Sequence, residues 1–295
     1  MSSRNSAAGS APVSASYRRI AEAHDDRVDR QLSVAKAFAL GALQGPTEIL
    51  PVSSSAHLVL VPWLLGWRYG DLDAEQRKAF EVALHGAAGL ALAVALREDL
   101  KRLVCNRERR NQQLALLSLL PSVALGYALE RPIEKRLGTP ETVAAGLVAG
   151  AVAMAWTDRM QERRKLSEAD ARDALWLGLA QACALFPGIS RGGATLAAAR
   201  LRRFTRADAH RISRQMALPV IAGAVGLKGL RLGAGGLPDA MQLPFLAGAL
   251  AAFASTLACA RLLRVGEGAR RLAPYAAYRI ALGAAVMIRL RLEPR

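Results

Sequence analysis

The chain has 295 residues and a formal net charge of +16, with 52% of residues apolar and only 5% aromatic. So basic a balance points to nucleic acid or an anionic membrane surface, but with few aromatics and no zinc-ligand or RNA-binding motif a nucleic-acid partner is not expected. Cys105, Cys183 and Cys259 are scattered without a CxxC pair, which excludes a disulfide framework, and the cations come in short blocks between apolar runs, as in a polytopic membrane protein.

Residues 1–33 lack the apolar core of a signal peptide. Residues 1–16 are rich in Ser and Ala and are expected to be disordered. Residues 17–32 read as a short surface helix on which His24 is solvated. Two apolar runs follow, 34–43 and 58–65, each shorter than the roughly 20 residues that cross a bilayer. Between them, LQGPTEILPVSSSAHL (43–58) carries two prolines, three consecutive serines, a carboxylate and a histidine. Polar, interrupted backbone at membrane depth is tolerated only where it is buried in protein or lines a wet cavity. A charged loop (68–78) leads to an apolar span at 79–96. A basic loop with Arg97, Lys101, Arg102, Arg107, Arg109 and Arg110 leads to a second span at 112–129, which contains Pro121. After a loop at 130–141, a third span (143–156) is rich in Gly and Ala, as helices packed closely on neighbours are.

The interrupted pattern then recurs. A short apolar run, 174–186, breaks at PGISRGGAT (187–195) and resumes only to Leu201. Spans follow at 212–230 (with Pro219 inside), 243–263 and 273–288. The organisation is an interrupted pair and three spans, twice over: an internal repeat of 34–157 and 172–291 within one membrane domain, 34–291. Local text repeats as well, GALQGP beside GLAQACALFP. The expected fold is therefore all-α and polytopic, six transmembrane helices plus two re-entrant broken-helix pairs. Three crossings between the pairs put the second half upside down, so that the two breaks meet near the midplane. On this topology the loops at 97–110, 159–172, 200–214 and 264–271 share one side and hold most of the loop cations, which places them in the cytoplasm. Both termini then face outward, although the N-terminal arm, with Arg4, Arg18, Arg19, Arg27 and Arg30, dissents.

A carboxylate at membrane depth is costly and marks function by default. Gln44 and Glu48, four residues apart, share a helix face; the bland alternative is that Glu48 caps a helix or sits in interfacial water. Ser53 is a plausible cap for a helix starting there. Ser53 and Ser54 stand four and three residues before His57, so either hydroxyl can share its face, and hydroxyl with imidazole is the minimal nucleophile–base pair. In the second break, Gly188 permits close backbone approach, a helix starting near Ser190 points N–H groups at the loop, and Arg191 offers the forked donors that suit phosphate. Ser190 and Thr195 add hydroxyls. The alternative is a glycine-rich helix break with Arg191 snorkelling to the interface. Glu81 and His85 either line the same cavity or pair at the interface, and His210, Trp63, Trp67, Trp156 and Trp176 read as interfacial residues. Carboxylate, hydroxyls and imidazole from one half, and arginine with an anion cradle from the other, suit phosphoryl transfer on a lipid-tailed substrate.

At these motifs the sequence resembles the undecaprenyl-pyrophosphate phosphatase family, the bacitracin-resistance proteins. QGPTE (44–48) matches the family's Glu/Gln-x-x-x-Glu element, LPVSSSAH (50–57) is similar to its PVSSTGH run, and PGISRGGAT (187–195) to its PGxSRSxxT signature. FEVALH (80–85) and ALP (217–219) add supporting text, and the likeness covers 34–291. The resemblance implies hydrolysis of a polyprenyl diphosphate to the monophosphate at the outer face of the bacterial inner membrane, recycling the carrier lipid for the cell wall and raising bacitracin tolerance. It implies a divalent cation, Mg²⁺ or Ca²⁺, served by Glu48 and Gln44. It assigns the attack on phosphorus to Ser54 and His57, and the diphosphate oxygens to Arg191 and Ser190, with Ser53, Gly188 and Thr195 lining the substrate site. Three departures stand out: Gln44 where many members have Glu, Gly192 for the signature's serine, and Ser55-Ala56 for Thr-Gly. The competing reading is a flippase or transporter of polyprenyl phosphate, which would use Arg191 and Glu48 but needs no nucleophile–base pair. A homodimer is left open.

Overall fold

A computed structural model describes residues 32–98, 101, 109–232, 239–265 and 271–292. The N-terminal arm with its expected helix and His24, the loop cations Arg102 and Arg107, and Cys105 lie outside the described residues. The described chain forms ten α-helices and three short 3₁₀ turns: α1 (Val34–Ile49), α2 (Ser54–Leu64), α3 (Ala74–Ala95), α4 (Arg109–Arg136), α5 (Pro140–Thr157), α6 (Ala171–Ala182), α7 (Arg191–Leu201), α8 (Arg206–Leu232), α9 (Asp239–Val265) and α10 (Ala273–Leu292). Among the described residues there is no β-strand, only one isolated bridge between Arg164 and Phe204. Ala74–Ala95, Gln112–Leu129 and Met241–Ala260 are long and apolar enough to cross a membrane. The chain is an all-helical polytopic membrane protein.

Helix ends fall where capping chemistry puts them, which is often beyond the apolar run. α3 starts five residues before the expected 79 because the Asp73 carboxylate accepts from the Glu75 and Gln76 amides at 3.0 and 3.1 Å. α5 starts on Pro140 at its first turn, where a missing N–H costs nothing, with Thr139 as cap. α4 runs past the apolar stretch to Arg136 and includes Pro121 and Pro132, and α8 begins in the basic segment at Arg206.

The recurring text is packed alike in both places. α1 lies on α9, and α6 lies on α4; each half's fourth helix covers the other half's first, and the two fifth helices, α5 and α10, face each other. At Gly41 a Cβ would stand 2.1 Å from the Gly248 carbonyl oxygen of α9, and at Gly178 one would stand 2.2 Å from the Ser118 carbonyl oxygen of α4. The Ser255 hydroxyl donates to Gly41 O at 3.1 Å, and the Ser122 hydroxyl donates to Gly178 O at 3.0 Å. Such contact matters because lipid tails are as apolar as leucine, so helices associate through van der Waals fit and interhelical hydrogen bonds. Around these contacts Phe80 sits fully buried between α1 and α9, edge-on to Phe245 with ring centroids 5.2 Å apart.

The charged end of the molecule is tied down by ion pairs. Asp158, just after α5, accepts from Arg206 Nε at 2.8 Å and from the Leu272 amide at 3.0 Å, so it joins the starts of α8 and α10. Asp173 is fully buried and takes Arg164 and Arg202, each at 2.6 Å. These pairs tie the loops after α5 and α7 to the start of α10, while the breaks of the two interrupted pairs, at Ser53 and Ser190, are buried.

Candidate active site

Each interrupted pair breaks for a local reason. Pro46 lacks an N–H, and the Thr47 hydroxyl bonds back to the carbonyls of Leu43 and Gln44 at 2.8 and 3.2 Å. The chain leaves α1 at Leu50, passes Pro51, and turns at Ser53 with φ 77°. A left-handed serine costs ~1–3 kcal/mol, strain of the kind that collects at functional sites. Ser53 occupies the cap position of α2, but its hydroxyl meets Ser55 Oγ at 3.3 Å instead of capping. Ser54 is therefore the first residue of a helix, with its hydroxyl at the helix N-terminus. In the second break Gly188 adopts φ 91°, and a Cβ there would stand 2.1 Å from Val143 O; only glycine fits. Ser190 caps α7, its oxygen accepting from the Gly193 amide at 3.2 Å, so Arg191 opens that helix.

Four helices bring their side chains together at Glu48. Its Oε2 accepts from the Ser54 hydroxyl of α2 at 2.7 Å and from Gln44 Nε2 at 3.2 Å. His85 of α3 places Nε2 3.7 Å from the same oxygen and 3.4 Å from Ser54 Oγ. Arg191 of α7 brings Nη2 to 3.7 Å from Oε1. The His85 Nδ1–H donates to Glu81 O at 2.8 Å, which turns Nε2 toward the serine and Glu48. The site thus draws on both halves: carboxylate, hydroxyl and imidazole from the first, guanidinium and helix N-terminus from the second.

Not every expected residue joins this group. The imidazole paired with Ser54 is His85, not His57. The His57 Nδ1–H donates to Ser53 O at 2.7 Å, and its Nε2 meets the Tyr278 hydroxyl of α10 at 2.7 Å, the two rings stacked 5.7 Å apart. Both ring nitrogens are taken: one helical turn after Ser53 the ring folds back on that residue's carbonyl, which also accepts from the His57 amide at 3.3 Å, and Tyr278 takes the other nitrogen. The Thr195 hydroxyl is engaged with Arg191 O, Gly192 O and, at 2.7 Å, Ser213 Oγ of α8. His85 was the signal within reach: its four-residue spacing from Glu81 carried an alternative that the sequence left open. Tyr278 gave no sequence signal; Arg279 did, as a cation inside the apolar span 273–288, but nothing ties α10 to the breaks before the chain is folded.

Among the described residues no group of three His, Cys, Asp or Glu side chains stands close enough to hold a metal ion. The donors present are nonetheless hard oxygens. Glu48 offers a carboxylate and Ser54 a hydroxyl, and the buried Gln44 Oε1 has no hydrogen-bond partner. Hard divalent cations bind through one or two carboxylates plus substrate phosphate oxygens, a donor set these residues fit once a diphosphate supplies the rest.

The family described as bacitracin resistance protein BacA matches residues 37–285. An undecaprenyl-diphosphatase of Geobacter sulfurreducens is 39% identical over 270 residues, 87% of this chain and 98% of that protein. The proteins of the same description from Pelobacter propionicus and Burkholderia mallei are 37% and 35% identical, covering 87% and 86% of this chain and 97% and 95% of their own.

Proposed function

The chain belongs to the BacA bacitracin-resistance family, and from that premise we propose that it hydrolyses undecaprenyl diphosphate to the monophosphate and inorganic phosphate. The observation that carries the reading is Glu48, held between Ser54 and His85 of one half and Arg191 of the other. The activity recycles the carrier lipid for cell-wall synthesis and confers bacitracin tolerance.

The diphosphate enters between Ser54 and the N-terminus of α7. Arg191 exchanges its contact with Glu48 for phosphate oxygens, to which a guanidinium presents parallel donors. Amides at the start of α7 add positive potential where charge builds up on the transferring phosphoryl group. The oxygen that attacks phosphorus, that of Ser54 or of a water held by it, gives up its proton to Glu48. The bond between the terminal phosphorus and the bridging oxygen breaks, and polyprenyl monophosphate leaves; where Ser54 is the attacking oxygen, a water then attacks the phosphoserine, inorganic phosphate leaves, and Ser54 takes back the proton held on Glu48. A divalent cation on Glu48, Gln44 and the phosphates supplies further charge neutralisation when bound. Ser190 and Gly188 shape the cradle, and His57 and Ser53 set the start of α2. A transporter needs no hydroxyl on its carboxylate, so the 2.7 Å Ser54–Glu48 bond favours hydrolysis.

We place the protein in the bacterial inner membrane as six spans plus two re-entrant pairs, with the arginine-rich loops in the cytoplasm and the site open to the outer face; the ion-paired loops around Asp158 and Asp173 support a single basic face. The test of function is phosphate release from a prenyl diphosphate by purified protein. No release from any prenyl diphosphate, with either cation present, would reject the reading.

A further inference from the structure

Arg279 lies 0% exposed in the middle of α10 and, among the described residues, has no carboxylate partner. Its Nη1 donates to Pro51 O at 3.3 Å and its Nη2 to Gly188 O at 3.0 Å. These are carbonyls of the two breaks. Pro51 stands three residues before Ser54, and Gly188 three before Arg191. Pro51 lies just past the end of α1, and Gly188 lies three residues past the 3₁₀ turn (Cys183–Leu185) that follows α6; buried carbonyls outside a helix need donors from elsewhere. At this depth one guanidinium supplies a donor to each.

The surroundings are shaped around it. At Gly150 of α5 a Cβ would stand 2.3 Å from Nη2, and at Gly193 of α7 one would stand 2.7 Å from Nη1. Met154 Sδ lies 3.2 Å from Nη1. The neighbouring Tyr278 bonds His57 of α2, so two adjacent residues of α10 hold the first break.

We propose that Arg279 is a positioning residue of the reaction: it clamps the two breaks at a fixed separation and so holds Glu48 and Ser54 in register with Ser190 and Arg191. A guanidinium can do this and an ammonium cannot, because its donors lie in one rigid plane at fixed spacing. The inference rests on the phosphatase reading. It adds a residue that touches neither substrate nor cation and acts through two backbone carbonyls.

The test is a set of variants, Arg279→Gln, Arg279→Lys, Gly150→Ala and the Gly150→Ala/Arg279→Gln double, each assayed for phosphate release from farnesyl diphosphate and for thermal unfolding in the same detergent. Arg279→Gln is expected to lower kcat at least tenfold with KM changed less than threefold, since misregistered halves bind a headgroup but do not align it. Arg279→Lys restores little of that loss. Gly150→Ala, which crowds the guanidinium from a helix without catalytic residues, lowers kcat by itself and adds nothing in the double variant, because the group it displaces is already gone. Wild-type kcat in Arg279→Gln or Gly150→Ala, full rescue by lysine, or additive losses in the double variant would overturn the clamp. So would a fall in melting temperature with kcat per folded molecule unchanged. If the wild-type protein itself releases no phosphate, the phosphatase reading fails first, and that failure is distinguishable from any of these.

Discussion

Glu48 divides its oxygens between the two halves of the chain, Oε1 toward Arg191 and Oε2 toward Gln44, Ser54 and His85. A carboxylate so partnered holds its neighbours in place and accepts a proton without moving. Ser54→Ala and Arg191→Ala are therefore each expected to lower kcat by about 100-fold or more, the usual cost of removing one donor from a charge-stabilising site, measured as phosphate release. His85→Ala should impair the reaction more than Thr195→Ala, because His85 Nε2 faces the reacting hydroxyl and Thr195 bonds to α8; equal effects would argue against this placement. His57→Ala removes a buried ring that bonds Ser53 O and the Tyr278 hydroxyl, and the lost hydrogen bonds with the cavity left behind cost about 1–3 kcal/mol. Its loss of activity should come with a lower melting temperature, whereas that of Ser54→Ala should not.

The second break shows how one element sets two opposite tolerances within five residues. Gly188 needs its positive φ and its contact with Val143 O, so Gly188→Ala should cost at least about 2 kcal/mol of stability and most of the activity. Gly192 is a helical position whose added Cβ would meet only Ser190 Oγ, at 3.9 Å. Gly192→Ser, which supplies the hydroxyl of the family's signature, should leave stability near wild type and lower KM for the diphosphate. Thermal unfolding and KM, measured on the same samples, check both.

Over the whole molecule, the two halves bury each other's small-residue faces, α1 on α9 and α6 on α4, while Leu116, Leu120 and Val123 of α4 and Leu243, Leu246 and Leu250 of α9 stay exposed. Such a surface belongs in lipid, so the protein should be extracted from membranes only by detergent, and recovery in a high-salt wash would contradict the fold. A chelator is expected to abolish phosphate release and added Mg²⁺ or Ca²⁺ to restore it; full activity in excess chelator would remove the cation from the reading. The sequence by itself determined the interrupted pairs, the three motifs and the basic loops, because proline, glycine, serine runs and charge blocks act over a few residues and the bilayer sets a length scale. Only the tertiary structure decided that Ser54 pairs with Glu48 and His85 while His57 turns to Tyr278, and that Arg279 reaches both breaks. The choices at His57 and Arg279 depend on how rings and forks are oriented across helices more than two hundred residues apart in the chain, and spacing along one helix carries no information about a partner on another.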